Sequence, residues 1–387
     1  MERLPTPKFQ QIASSWSSLS RNDEFSKHRP ESAKEEFCED EIIYEYPQIR
    51  AFIIDSINED EIMRQVALNE LNTMIETCPS SFKDCISPED FECCLKVFSF
   101  ENPSEICLII QFLTFITFCS DTYSAFLLTP NFIDILLQAR LKITSPEGVF
   151  NLLTLLTNLF FDTRNSIPFV ESGLGEFLKN FPEELICRPY LRLLTVLSSI
   201  PTLPSTDTIS FLQILNNFLS HESDDLKKIV LKSFLQLLSQ EQTNENVDAE
   251  VEENDISTLV QKCISLPYLV SIFVNPNSNF ELLRLTFKLI RKLVKCNIDY
   301  VDIIAHDDGI EFYNRLAFII NEGIDVLEYP ALKLLNAFVD KDSEFDVQHA
   351  IIFKDINLQS KLETSSYKIK IQLIVFLETL FKHLPIE

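Results

Sequence analysis

The chain has 387 residues, 46% of them hydrophobic, a formal charge of −25 and only five glycines. That apolar content supplies a sizeable core and excludes a wholly disordered chain. So few glycines argue against sandwiches, Rossmann folds and P-loops, and the negative charge argues against general binding to nucleic acid or anionic membrane.

In chain order, residues 1–41 are polar, rich in Ser, Pro and mixed charge, and show no sustained period. They are expected to form a mostly disordered tail ending in the acidic "EEFCEDE", and Trp16, the sole tryptophan, falls within it. The opening "MERLPTPKFQQIASSWSS" has no apolar segment of the secretory kind. Residues 42–387 read as helical throughout. The most apolar run, Ile106 to Phe118, carries Gln111 and is short against the roughly 20 residues of a membrane span, so it reads as a buried helix. "QEQTNENVDAEVEEND", residues 240–255, has seven acids and no base, and reads as a solvated loop insertion. Ten scattered cysteines without a CxxC pair suggest reduced thiols of an intracellular protein, cytoplasmic and with the nucleus as a second compartment.

A single pattern recurs across the helical region. A long amphipathic helix ends on an apolar anchor, a polar break follows, and two shorter helical pieces come next. The anchors are Ile75, Ile116, Leu159, Leu197, Leu237, Leu293, Phe338 and Leu380, spaced by 41, 43, 38, 40, 56, 45 and 42 residues. The long interval contains the sixteen-residue acidic stretch, and without it falls to 40. A second apolar position keeps the same phase: Leu71, Phe112, Leu156, Leu194, Phe234, Ile290, Leu335 and Phe376. A separation of three or four residues places each pair on one helix face. A period near 42 residues lies in the range of helical armadillo and HEAT-type repeats.

The stretch "LLTNLFFDTRNSIPFVESGLGEFLKNF", Leu155 to Phe181, gives the pattern its detail. Asn151 to Phe161 is the long third helix of one unit, Ser166 to Glu171 the short first helix of the next, and Glu176 to Phe181 opens the second. Gly173, Gly309 and Asn131 fall at similar distances after their anchors and read as joints that tolerate a left-handed backbone. "FITFCSDTYSAFLLTPNFIDILL" and "KLVKCNIDYVDIIAHDDGIEFYNRL" repeat the layout. From about Pro47 onward the chain therefore resembles the armadillo repeat superfamily. The resemblance implies an all-α fold: a right-handed armadillo or HEAT-type helical solenoid of about eight repeats, with three helices in a typical repeat.

Enzymatic signals are poor. The five histidines are far apart, no GxSxG occurs, and "GLG" lacks a strand-to-helix context. "HDDG", His306 to Gly309, reads as helix capping rather than a metal site. No catalytic residue, cofactor or metal is expected.

The informative feature is the placement of bases. The long helices carry Arg188 and Arg192; Lys228 and Lys232; Arg284, Lys288, Arg291, Lys292 and Lys295; Lys333; and Lys368. Spacings of three or four residues make stripes of them, although acids at the helix starts also fit simple dipole pairing. In an armadillo superhelix the third helices line the concave groove. The resemblance thus implies a scaffold or adaptor whose groove binds an extended, acidic segment of a partner protein through Arg192, Lys232, Lys288, Arg291, Lys292 and Lys333, with Asn158 holding ligand backbone. The earlier helices offer Gln111, Phe115, Thr154 and Asn158 instead. Importin-α-like adaptors carry a Trp-x3-Asn ladder on their third helices; only Asn158 matches, with Thr154 in the tryptophan place. The basic groove looks more like that of β-catenin. A nuclear transport adaptor, or a regulatory subunit of a kinase, phosphatase or ubiquitin ligase, is the alternative. The expected state is a monomer with a protein or peptide ligand and neither a nucleic acid nor a membrane partner.

Overall fold

A computed structural model of the chain describes residues 46–383 apart from 57, 59, 78–87, 120, 162, 240–255, 298, 342–351 and 354–357. The expected tail and the acidic insertion lie outside the described residues. Among those described the fold is all-helical, with no strand.

One row consists of the long helices: α2 (Glu61–Thr77), α4 (Pro103–Cys119), α7 (Pro146–Phe160), α10 (Arg188–Ser198), α12 (Asp224–Leu237), α15 (Phe280–Cys296), α17 (Asp325–Val339) and α19 (Tyr367–His383). Each packs on the next in that order. A second row backs the first. It contains α1 (Tyr46–Ser56), α3 (Pro88–Val97), α5 (Asp121–Leu127), α6 (Pro130–Arg140), α8 (Ile167–Val170), α9 (Leu174–Lys179), α11 (Ser205–Asn217), α13 (Ile256–Cys263), α14 (Leu266–Val274), α16 (Asp299–Glu322) and α18 (Leu358–Thr364). Here α6 meets α9, α9 meets α11, α11 meets α13, and α14 meets α16.

The sequence explains where these helices begin. Thr129, Ser145, Ser223 and Asn279 accept hydrogen bonds from the free N–H groups of the first turns of α6, α7, α12 and α15. Pro130 and Pro146 open their helices, where the missing N–H costs nothing. The anchors then close the core. Both apolar positions of every long helix are buried, Leu380 excepted, whose side chain lies outside the described set. Burying each such side chain contributes about 1.5–3 kcal/mol against ordering costs of similar size.

Polar bonds between successive long helices set their register. Asn72 donates to Leu108 O at 3.1 Å, Thr114 to Asn151 O at 3.1 Å, Thr195 to Ser233 Oγ at 2.7 Å and Asn336 to Gln372 O at 3.0 Å. Between α2 and α4 the link is ionic. Arg64 meets both oxygens of Glu105 at 2.8 and 3.2 Å, and its remaining nitrogen donates to Asn58 O. Glu105 is only 1% exposed and Arg64 11%, so neither charge has water to fall back on.

The joints differ from the left-handed expectation. Gly173 has φ −74° and precedes α9 as its cap, with its N–H held by Asp134 Oδ1 at 3.0 Å. Asn131 lies inside α6, and Gly309 lies inside the 24-residue α16, where the two expected short helices have merged into one. The helix runs on through the polar His306 to Gly309, and one continuous cylinder loses no backbone bonds at a turn. Among the described residues the left-handed glycine is Gly323, at φ +63°, after the end of α16. Gly148 is required for another reason: a Cβ there would stand 2.6 Å from Ile143 Cγ2, 2.9 Å from the capping Ser145 Oγ and 3.1 Å from Cys107 Sγ.

Among the described residues no single helix is long and apolar enough to cross a membrane; the bent pair α13 and α14 passes by length and composition only. The packing makes two substitutions informative. Arg64→Met should lower stability by about 3–5 kcal/mol by stranding the Glu105 carboxylate, and Arg64→Met with Glu105→Leu should recover most of it. Gly148→Ala should cost about 1–3 kcal/mol, whereas Gly173→Ala should stay within about 0.5 kcal/mol. Chemical denaturation followed by circular dichroism measures both.

Candidate protein-interaction surface

Contact with the helices before, after and behind leaves the long helices between α2 and α19 one main accessible strip each. Counting back from the anchors, the strip passes one, five and nine residues earlier, positions that lie near one line on a helix. Five residues before the anchor stand Arg192, Lys232, Lys288 and Lys333 on α10, α12, α15 and α17. Nine before stand Arg188, Lys228, Arg284 and Tyr329. All eight are partly or fully exposed. The same positions on the neighbours at either end are uncharged: Gln111 and Cys107 on α4, Thr154 and Phe150 on α7, and Val375 and Ile371 on α19.

The electrostatic state of these cations differs along the row. On α10, burial lowers the pKa of the Arg188 guanidinium and that of Arg192, and the charge of Arg188 adds to the effect on Arg192. Both remain cations; Arg188 is exposed and Arg192 half-buried. On α12, Lys228 lies 3.2 Å from Asp225 and 3.8 Å from Glu281, and Lys232 lies 3.3 Å from the same Glu281. Glu281 belongs to the first turn of α15, so it serves the helix dipole and the neighbouring lysines at once. Lys292 donates to Ser239 Oγ at 2.7 Å, tying α15 to the end of α12. Lys288 is exposed.

Further along, the cations meet an aromatic ring instead of acids. Lys333 Nζ stands 4.6 Å from the centre of the Tyr329 ring, a cation–π contact. A hydrogen bond from Lys333 lowers the pKa of the Tyr329 phenol, and the charges of Lys333, Lys368 and Arg291 lower it further. Those three residues come from α17, α19 and α15. Among the described residues no carboxylate is within ion-pair distance of any of them, whereas Glu328, beside Tyr329, is spent on Lys361 at 2.8 Å. The sequence shows Lys368 only as a member of the stripe and does not single out Tyr329. An aromatic residue at helical spacing resembles core, and only the register reveals that it occupies a cation's place.

Asn158 points between helices. Its amide donates to Thr114 O at 3.1 Å and to Thr117 Oγ1 at 3.2 Å, joining α7 to α4. Both partners lie on the preceding long helix, so the amide hydrogens that would grip a ligand backbone are engaged within the fold. The structure therefore places Arg192, Lys232, Lys288, Lys292 and Lys333 along one row of helices, with Arg291 on α15 beside Lys288 and Lys292, and sets Asn158 into the helix interface.

No group of three His, Cys, Asp or Glu side chains among the described residues could hold a metal. Two shallow clefts, one beside Phe98, Phe100 and Lys142 and one beside Leu219, Tyr268 and Asn277, are off the basic strip. The side chains of His306 to Gly309 lie outside the described set.

The phenol supplies a local probe. Cations favour phenolate, so Tyr329 should ionise below the ordinary tyrosine range, and Lys333→Met should move it back up. Any stability it contributes is present above the unfolded phenol's pKa and is lost as pH falls through the lowered folded value, so it is confined to alkaline solution. Absorbance titration near 295 nm, taken as the difference from Tyr329→Phe, isolates this group.

No protein-family model matches the chain, and no curated protein matches it. Among solved structures it is similar to a crystal structure of an engineered protein, with 12% sequence identity over 87% of this chain and 89% of that one and a TM-score of 0.55. That likeness is one of overall helical fold.

Proposed function

We propose that the chain is a non-enzymatic protein-interaction scaffold of the armadillo type, a right-handed solenoid of about eight repeats whose concave groove binds an extended acidic segment of a partner. One observation carries the proposal. In a protein of net charge −25, basic side chains occupy the same accessible position on four successive long helices. Helix-dipole pairing alone accounts for bases in last turns, but Arg192, Lys232, Lys288 and Lys333 lie in the middle of their helices. A row of like charge repels itself, and an acidic chain laid along it relieves that repulsion and is steered in by the field.

The importin-α-like adaptor has less behind it. Its ladder is represented here by Asn158, whose amide hydrogens are given to Thr114 and Thr117. A regulatory subunit of a kinase, phosphatase or ubiquitin ligase would use the same surface for its docking partner, and copurification of such an enzyme distinguishes it.

The test is binding of a fluorescent oligoglutamate peptide. Lys288→Glu with Lys292→Glu should weaken it by about 2 kcal/mol or more, roughly thirtyfold, and raising salt should weaken binding to the native chain. Lys96→Glu, on α3 away from the row, should leave it unchanged. Affinity indifferent both to the double reversal and to salt would overturn the basic-groove proposal.

A further inference from the structure

We propose that α19 pairs antiparallel with α19 of a second copy of this chain, making a twofold dimer at one end of the helix row in place of the expected monomer. The supporting observation is a core pattern that continues onto an uncovered face. On α12, α15 and α17, each followed by another long helix, the positions six residues before the anchor and one after it are buried. They are Leu231 and Leu238, Phe287 and Val294, and Leu332 and Val339. On α19 the same positions hold Ile374 and Phe381, which are 55% and 69% exposed. The packing of α19 is against α17 and α18, and among the described residues no long helix follows it. Its sequence nonetheless keeps the apolar residues that a following helix would cover.

The covering element is a helix. Tyr367, Ile371, Ile374, Glu378 and Phe381 are all exposed and are separated by four, three, four and three residues. That alternation is the seam of a coiled helix pair, and the exposed Val375 widens it at the centre. An extended chain, whose side chains alternate every second residue, does not match it. The charges select a second copy and its direction. Lys368 is in the first turn of α19, where the helix dipole disfavours a cation, and Glu378 lies further along; both are exposed. Parallel pairing would set lysine against lysine and glutamate against glutamate. Antiparallel pairing turns each lysine toward the other copy's glutamate and brings the two patches of Ile371, Ile374 and Val375 together on the axis. Two helices of 17 residues joined along this seam bury about 1,000–1,200 Å² in all. That is the low end for a specific contact, so the dimer is weak, with a dissociation constant of about 10 μM.

Sedimentation velocity of the full chain over about 1–100 μM tests this. The weight-average mass should rise from one chain toward two and level off there. Ile374→Glu, which sets a charge on the twofold axis, should weaken dimerisation about a hundredfold or more. Lys368→Glu should weaken it about tenfold at low salt, and adding Glu378→Lys should restore most of the loss. All three side chains are exposed, so the folded state survives their replacement, and an unchanged denaturation midpoint verifies it. Lys288→Glu with Lys292→Glu, on α15, should leave self-association unchanged, which separates this contact from the basic row.

A mass of one chain across the whole range would overturn the dimer and leave the face to a partner of another kind. A dimer indifferent to Ile374→Glu would overturn it by placing the interface elsewhere. Growth past two copies would overturn it as well, since a twofold contact closes on itself. A charge swap that does not restore the Lys368→Glu dimer would exclude antiparallel pairing, and the proposal with it.

Discussion

The rest of the structure depends on one constraint: a long helix must bury apolar surface against the helix before it and the helix after it at the same time. Leu156 and Leu159, Leu194 and Leu197, and Phe234 and Leu237 meet that demand with two buried positions three residues apart. Helices of the second row cover much of what remains. A helix enclosed on three sides keeps a single strip of accessible residues, and in a serial stack those strips are adjacent. Any partner of this surface therefore meets a line of side chains, one or two per helix, spaced by the roughly 8–10 Å between helix axes. Extended chain is the natural ligand of such a line, since it presents side chains at comparable intervals along its length.

Apolar packing alone would let neighbouring helices slide. Leu- and Phe-rich faces are alike at every turn, and a shift by one turn costs few contacts. The polar bonds remove that freedom. Asn72, Thr114, Asn158, Thr195 and Asn336 each reach the adjacent helix, and a slip would leave buried donors without partners at about 1–3 kcal/mol each. The Arg64–Glu105 pair acts in the same way more severely, because it buries full charges. Such bonds are poor sources of net stability but good sources of register. Asn158 belongs among them. Its likeness to a ligand-clamping asparagine lies in its position, while its amide hydrogens perform internal alignment.

The helical architecture is readable from the sequence because it is built from spacing. The anchors recur with a period set by one step of the stack, and the acidic stretch 240–255 stands out by composition, so its removal restores the period. The helix start at Pro168 is readable for the same kind of reason: its fixed φ and missing N–H suit a first turn best, although α17 carries Pro330 in its interior. The joints are less so. Glycine signals a left-handed turn when nothing else explains it, but Gly148 answers a close approach of Ile143 and Cys107, and Gly175 one of Phe169. The charge state of the row is not readable at all. Whether Lys232 is free for a ligand depends on Glu281, 49 residues away across the acidic insertion, and that pairing exists only after α12 and α15 have docked. Tyr329 escapes for the converse reason. An aromatic residue carries no charge, and what marks this one is the Lys333 ammonium over its ring, a contact set by the helix register.

These pairings make the row uneven, and the unevenness has a direction. The strip begins with uncharged side chains, Gln111, Thr154 and Phe150 among them, on α4 and α7, then passes through the exposed Arg188 and half-buried Arg192 on α10 and internally matched lysines on α12. It reaches Arg291, Lys333 and Lys368, which have no carboxylate partner among the described residues, before ending on Ile371 and Val375. Exposed, matched pairs contribute about 0–1 kcal/mol whether the partner is Glu281 or a ligand acid, so the α12 segment discriminates against bases more than it attracts acids. The proposed acidic ligand would therefore meet an uneven track, internally matched on α12 and without a carboxylate partner at Arg291, Lys333 and Lys368 among the described residues.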